Sequence, residues 1–144
     1  MNAPAFNIEA LPVTIKYVAE VPSKWDNDKK RTVDLWHVTI TSKSGFHTFD
    51  YMTGLGLRKN PARKGFIDNS KPVKPTIADV LFCLVNDAEA SDFNFADWCN
   101  HYGYSDDSIY ALNTYKACLE TATALRKHFD RDTLTAIRNH VQGM

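Results

Sequence analysis

"P75-T-I-A-D-V-L-F-C-L-V-N-D-A88" is where the hydrophobic period of this chain changes, and that change decides its fold class. Ile77, Val80, Leu81, Leu84 and Ala88 recur at spacings of three and four, which sets them along one stripe of an α-helix. Thr76 and Asp79 have capping-box spacing, so each side chain can bind the other's backbone N–H at the helix start. The pattern predicts a helix over about 77–88.

Upstream of this stretch the period is two. Val13, Ile15 and Tyr17, then "T32-V-D-L-W-H-V-T-I-T41", alternate β-branched and aromatic residues with polar ones, and "W25-D-N-D-K-K-R31" supplies turn chemistry between them. A β-hairpin is expected. "S42-K-S-G45" is a second turn signal, and "F46-H-T-F-D-Y-M52" reads as a third antiparallel strand. The chain thus divides into a strand-rich segment 12–52, a glycine- and proline-broken basic connection 53–75, and a helical segment 76–142. Strands first and helices second define the α+β class: an N-terminal antiparallel sheet of about three strands, then a C-terminal bundle of about four helices. At 144 residues the whole chain, 1–144, suits a single domain.

Downstream, "F95-A-D-W-C-N-H-Y-G-Y-S-D-D-S108" mixes groups that suit a metal, a nucleophile or plain helix punctuation. Punctuation accounts for most of it. Asn94 as N-cap puts Asp97 at the third helical position, with Phe93 and Trp98 as a hydrophobic staple. Gly103 then fits the left-handed residue that ends the helix, with Tyr104 folding back. Ser105 is expected to cap the next helix, with Asp106 and Asp107 in its first turn and Tyr104 and Ile109 as a second staple. Ala111, Tyr115, Cys118, Ala122, Leu125 and Phe129 form the apolar face of that long helix, beside Leu112 and Leu119. Asp132 is expected to cap a last helix containing Leu134, Ile137 and Val141, closed by Gly143.

Reactive chemistry is disfavoured at each candidate. Cys99 and His101 lie two apart on a helix and so point roughly 200° from one another, and no zinc spacing links them to His37, His47, Cys83 or Cys118. A Cys99 nucleophile paired with His37 or His47 needs an electropositive setting, whereas Asp92, Asp97, Asp106 and Asp107 surround it in sequence. "G54-L-G56" matches neither phosphate-loop spacing, and "D26-N-D28" lacks the remainder of a calcium loop. The expectation is a chain with no catalytic residue, no metal and no cofactor. Its three cysteines, without a CxxC pair, read as reduced thiols in a cytosolic protein.

Charge carries the remaining information. Net charge is +0, so no global field selects a partner. Locally, Arg58, Lys59, Arg63, Lys64, Lys71 and Lys74 dominate the connection, with Asp68 the only acid between Arg58 and Lys74. From Pro75 to Tyr115 the chain carries Asp79, Asp87, Glu89, Asp92, Asp97, Asp106 and Asp107 and no lysine or arginine. Three uses fit. The basic connection docks on the acidic helices; or it grips nucleic-acid phosphates through Arg58, Lys59, Arg63 and Lys64; or the acidic face, with Asp87, Glu89, Asp92, Asp97, Asp106 and Asp107, fills a partner's basic cleft. Trp25, Trp36, Phe46, Phe49 and Tyr51 offer rings for base stacking, but strand alternation assigns most of them to the core.

From Pro75 to about Leu125 the chain resembles a widespread group of small, uncharacterised bacteriophage and prophage proteins. The residues that carry the resemblance are "D79-V-L81", "D87-A88", "F95-A-D-W-C99", "G103-Y104", "D107-S108" and "Y115-K-A-C-L119". The resemblance implies phage origin and supplies no catalytic residue. By analogy of size and charge with anti-CRISPR proteins, it implies a non-enzymatic binding protein that inhibits a bacterial defence complex or nuclease. The alternative is a nucleic-acid-binding accessory protein of phage replication or recombination. "MNAPAFNIEALP" has neither the basic nor the long apolar region of a secretory signal, and no stretch reaches membrane-spanning length. The expected location is the host bacterial cytoplasm, with no membrane partner.

Overall fold

A computed structural model describes residues 6–23, 31–55 and 71–143. Three strands, β1 (Val13–Pro22), β2 (Thr32–Ser42) and β3 (Gly45–Gly54), form an antiparallel sheet in the order β1-β2-β3. Four helices follow, α1 (Ile77–Ala88), α2 (Phe95–Tyr102), α3 (Ile109–His128) and α4 (Arg131–Gln142). The α+β architecture matches the order of periods in the sequence.

The β2–β3 hairpin closes through Lys43 and Ser44. Gly45 takes φ 112, a value that a side chain would strain, and the Ser44 N–H donates to Ser42 Oγ at 3.1 Å. Between β1 and β2 the register slips once, between Tyr17 and Ala19. That bulge at Val18 brings Glu20 opposite Asp34 on the core-facing side of the sheet. Buried Asp34 accepts a hydrogen bond from the Tyr17 hydroxyl at 3.2 Å, and Thr32 donates to Glu20 at 2.6 Å. This end of the sheet is polar for that reason.

The other end is apolar. Val13, Ile15, Trp36, Val38 and Ile40 form one face and bury against Val80, Leu81, Leu84 and Val85 of α1, Leu125 of α3, and Ile137 and Val141 of α4. Trp36 Nε1 donates to Thr53 Oγ1 at 2.9 Å, so the buried indole keeps its hydrogen bond. His128 at the end of α3 meets Ser42 of β2 at 2.7 Å, a tie across 86 residues.

Helix α1 begins as its sequence demands, and gains one partner from far away. Thr76 and Asp79 form the capping box, at 3.0 and 3.1 Å. The next two free N–H groups, of Ile77 and Ala78, donate to the two carboxylate oxygens of Glu9 at 3.0 and 2.9 Å. Glu9 lies in a short 3-10 turn, Ile8–Ala10, whose Ile8 enters the core. Its negative charge stands at the positive end of the α1 dipole. Glu9→Ala is expected to cost about 1 kcal/mol, read as a lower urea midpoint at unchanged slope. Combined with Thr76→Ala it should give a non-additive loss, because both serve the same helix end.

Two helix starts differ from the sequence expectation. Ser108, not Ser105, caps α3: its side chain accepts from the Ala111 N–H at 3.2 Å, while the Ser105 hydroxyl donates to Asp107. Ser105 and Asp107 thus satisfy one another within a turn closed by Ser108 N–H to Ser105 O at 3.2 Å, and the helix starts after it. Ile109, expected to staple onto Tyr104, is 76% exposed. Likewise Asp130, not Asp132, caps α4, accepting from the Thr133 N–H at 2.7 Å. Buried Phe129 fixes the chain just ahead of it, and those hydrogen bonds hold the Asp130 carboxyl below the usual range. Gly143 ends α4 with φ −87, an ordinary value and not the left-handed one.

A candidate acidic and aromatic binding surface

Helix α2 has eight residues, too few to stand alone in water, so tertiary contacts must hold it. Asn94 caps it, accepting from the Asp97 N–H at 2.9 Å, and Gly103 ends it at φ 79, both as the sequence predicts. Trp98 and Cys99 bury with Ala90 and Ala111 in a second cluster, flanked by Phe93, Phe95, Tyr115 and Leu119. Tyr115 donates from its hydroxyl to the Phe93 carbonyl at 2.6 Å, pinning α3 to the start of α2. The first half of α3 therefore packs on α2, and its second half on the sheet and α4.

Tyr104 folds back as expected and stacks on Trp98 with ring centroids 4.8 Å apart and planes within 5°. Phe93 leans on His101 at 5.1 Å and on Tyr102 at 6.3 Å. The outcome is a buried indole carrying a partly exposed layer of Tyr102 and Tyr104, with Tyr110 6.3 Å from Tyr104 and 63% exposed. Between the end of α1 and α3, Tyr104 and Tyr110 border a cleft of about 510 Å³, whose wall includes Asp87, Asn113, Thr114 and Cys118. Its size lies within the range of small ligand clefts.

The six acids expected at an interface fall into groups. Asp87, Asp92, Asp97, Asp106 and Asp107 are exposed, and Glu89 is half-buried. Glu89 accepts the Tyr102 hydroxyl at 3.2 Å. Burial first, then the Glu89 charge and hydrogen bond, push the Tyr102 phenol up. Asp87 lies at the cleft, where it adds to the effect of burial on Tyr104 and Cys118. Asp106 and Asp107 occupy the turn between Tyr104 and α3. Asp97 stands in the first turn of α2, about 8 Å of helix rise from Tyr102, and Asp92 lies just ahead of Phe93, whose ring is 6.3 Å from that of Tyr102. The structure thus joins Asp87 and Glu89 to the tyrosines, sets Asp106 and Asp107 in the turn that follows Tyr104, and sets Asp97 at the other end of a short helix.

All three thiols are pushed toward their protonated form. Burial, aided by Asp106, pushes Cys99 up. Burial likewise raises Cys83, whose sulfur lies 3.8 Å from the Tyr51 hydroxyl. Cys118 is pushed up to about 11, by burial first and by the Asp87 carboxylate second. Asp87→Asn is therefore expected to move the pH midpoint of Cys118 alkylation downward, though not to the free-thiol value, since burial remains. A wild-type midpoint at or below pH 9 would contradict this. The linked stability change has the same origin: a thiol raised in the folded state favours folding below the unfolded value near 9 and loses that contribution as pH rises to about 11.

Cys99 is buried while His101 is exposed on the stack with Phe93, so they diverge. His37 pairs with Asp50 at 3.3 Å on the exposed face of the sheet. Among the described residues no group of three or more His, Cys, Asp or Glu converges, and no helix is long and apolar enough to cross a membrane. Trp36 is buried and Phe49 and Tyr51 pack on the core, so among these rings only Phe46, 73% exposed, is open for stacking. Arg58, Lys59, Arg63 and Lys64, proposed for phosphate contact, lie outside the described residues, as do Trp25 and Asp68.

Sequence reasoning missed the cleft and Tyr110. The available signal was a stripe of small and polar residues on α3, Tyr110, Thr114, Ala117 and Thr121, at helical spacing and without charge. No family model, curated protein or solved structure matches this chain.

Proposed function

We propose that the protein is a non-enzymatic, phage-encoded binding protein that inhibits a bacterial defence complex by protein–protein contact. It does so by laying its acidic, tyrosine-bearing helical side on the basic surface with which that complex holds nucleic acid. One observation carries the reading. Between Pro75 and Tyr115 the chain exposes Asp87, Asp92, Asp97, Asp106 and Asp107 beside Tyr102, Tyr104, Ile109 and Tyr110, with no lysine or arginine among them.

Carboxylates steer an encounter with a basic surface and penalise wrong, acidic partners. Tyrosines supply contact area at low entropic cost, which is why they anchor protein interfaces. The carboxylates repel phosphate. The resemblance of residues 75–125 to phage proteins places the likeness on the same acidic segment and points to the host cytoplasm as the place of action.

Affinity capture from a bacterial lysate, with and without nuclease treatment, tests the reading. Recovery of a nuclease or CRISPR complex that survives the treatment, and whose activity falls when the protein is added, is the expected result. Loss of every partner after treatment would show that nucleic acid bridges them, and the accessory role in phage replication or recombination would replace this account. That role also predicts oligonucleotide affinity falling steeply with salt.

A further inference from the structure

The two edges of the sheet are unlike one another. β1 carries three features that discourage further strand pairing: the bulge at Val18, a lysine at Lys16 and a proline at Pro22. β3 has none of them. From Gly45 to Gly54 it runs in unbroken register with β2, holds no lysine, arginine or proline, and has Asp50 as its one carboxylate. Among the described residues, β3 makes no backbone hydrogen bond beyond that ladder, and no second strand lies on its other edge. An edge of this length and regularity is a template for another strand.

Its side chains are sorted by face. Phe49 and Tyr51 stand opposite Val38 and Trp36 on the helix side, where they pack on the core yet remain half-buried. Phe46, Thr48, Asp50 and Met52 stand on the open side, and Phe46 is 73% exposed.

We propose that β3 pairs antiparallel with the β3 of a second copy of this chain, joining two three-stranded sheets into one. The strand's own order selects the register. A two-fold axis across such a pair sets one residue against its own copy and fixes every other partner. With Asp50 on the axis, two carboxylates meet; with Thr48 there, Asp50 faces Phe46; with Tyr51 there, Asp50 faces Met52. Phe49 on the axis avoids all three conflicts. Phe46 then faces Met52, Thr48 faces Asp50 and Phe49 faces itself, so apolar meets apolar and the carboxylate meets a hydroxyl. Registers centred farther out pair fewer residues. The proposal goes beyond the acidic-face reading and does not rest on it, since β3 lies outside the segment from Pro75 to Tyr115.

The test is sedimentation equilibrium of the full chain over a dilution series, with Thr48 also replaced by aspartate and by lysine. Thr48 is exposed, and its hydroxyl meets only that of Thr39 on the open face, so circular dichroism should not change. The wild-type chain is expected to pass from monomer to dimer as its concentration rises. Thr48→Asp sets a carboxylate against each Asp50 and should weaken the dimer about tenfold, whereas Thr48→Lys sets an ammonium there and should tighten it about threefold. Amide exchange should slow in β3, and not in β1, at concentrations where the dimer forms.

A chain that stays monomeric at every concentration would overturn the proposal. So would a dimer indifferent to residue 48, which would use another surface, or a dimer that lysine weakens, which would not set residue 48 against Asp50. Protection of β3 that appears only when a captured partner is added would give the edge to that partner's strand and overturn the pairing of two copies.

Discussion

Trp98→Ala is expected to lower stability by about 3–5 kcal/mol, the largest single loss among the described residues of the helical side. Trp98 is 4% exposed and touches four rings, those of Phe95, Tyr102, Tyr104 and Tyr115. Deleting it removes both the buried area and the support of the Tyr104 stack. Because α2 is short and depends on this cluster, the loss should be local before it is global. Hydrogen exchange should show lost protection over 95–104 while β2 and α1 stay protected. The sheet-side core, with Val38, Leu81 and Ile137, shares no residue with that cluster. Trp98→Phe, which keeps a ring, should recover more than half of the loss. A Trp98→Ala chain within about 1 kcal/mol of wild type would mean that α2 is held by something else.

Reversing Asp92, Asp97, Asp106 and Asp107 together to lysine is expected to weaken partner binding by at least about 100-fold at low salt. All four are exposed, so the fold should tolerate the change apart from small costs at the start of α2, where Asp97 faces the helix dipole, and in the turn before α3, where Asp107 accepts from Ser105. Most of the loss should appear in the association rate, since exposed charges act on the encounter, and should shrink as salt is added. Asparagine at the same positions separates charge from shape and should give an intermediate effect. Asp87 and Glu89 are left intact because one lines the cleft and the other holds Tyr102. Unchanged affinity in the lysine chain, with circular dichroism also unchanged, would rule out the acidic face as the contact.

Much of this was legible because it is local. Strand and helix periods depend on neighbours two to four residues away, so the meander and the α1 stripe follow from sequence. Asn94, Thr76 and Gly103 were read correctly for the same reason: a cap is a contact between residues three or four apart. The two misplaced starts show the limit of that logic. Ser105 and Ser108 each have capping chemistry, and so do Asp130 and Asp132. The choice fell to which of them a turn or a buried neighbour had already engaged, which for Asp130 was the burial of Phe129.

Of the candidate surface, sequence supplied the acids and their segregation from lysine and arginine, since charge is a property of the residue and not of its neighbours. It could not tell that Asp87 falls at the cleft and Glu89 against Tyr102, with Asp97 at the opposite end of α2. That sorting depends on how α2 lies against α3, which the buried Trp98 decides. The Glu9 clasp on α1 and the tie from Ser42 to His128 join residues far apart in the chain, and no spacing rule announces them. By itself, then, the sequence determined the order of the described elements, most of their ends and the acidic sign of the helical surface, all set by short-range geometry and charge. Only the tertiary structure decided that Tyr104 and Tyr110 border a cleft with Asp87, because a concave site is made by the packing of segments whose individual patterns carry no record of one another.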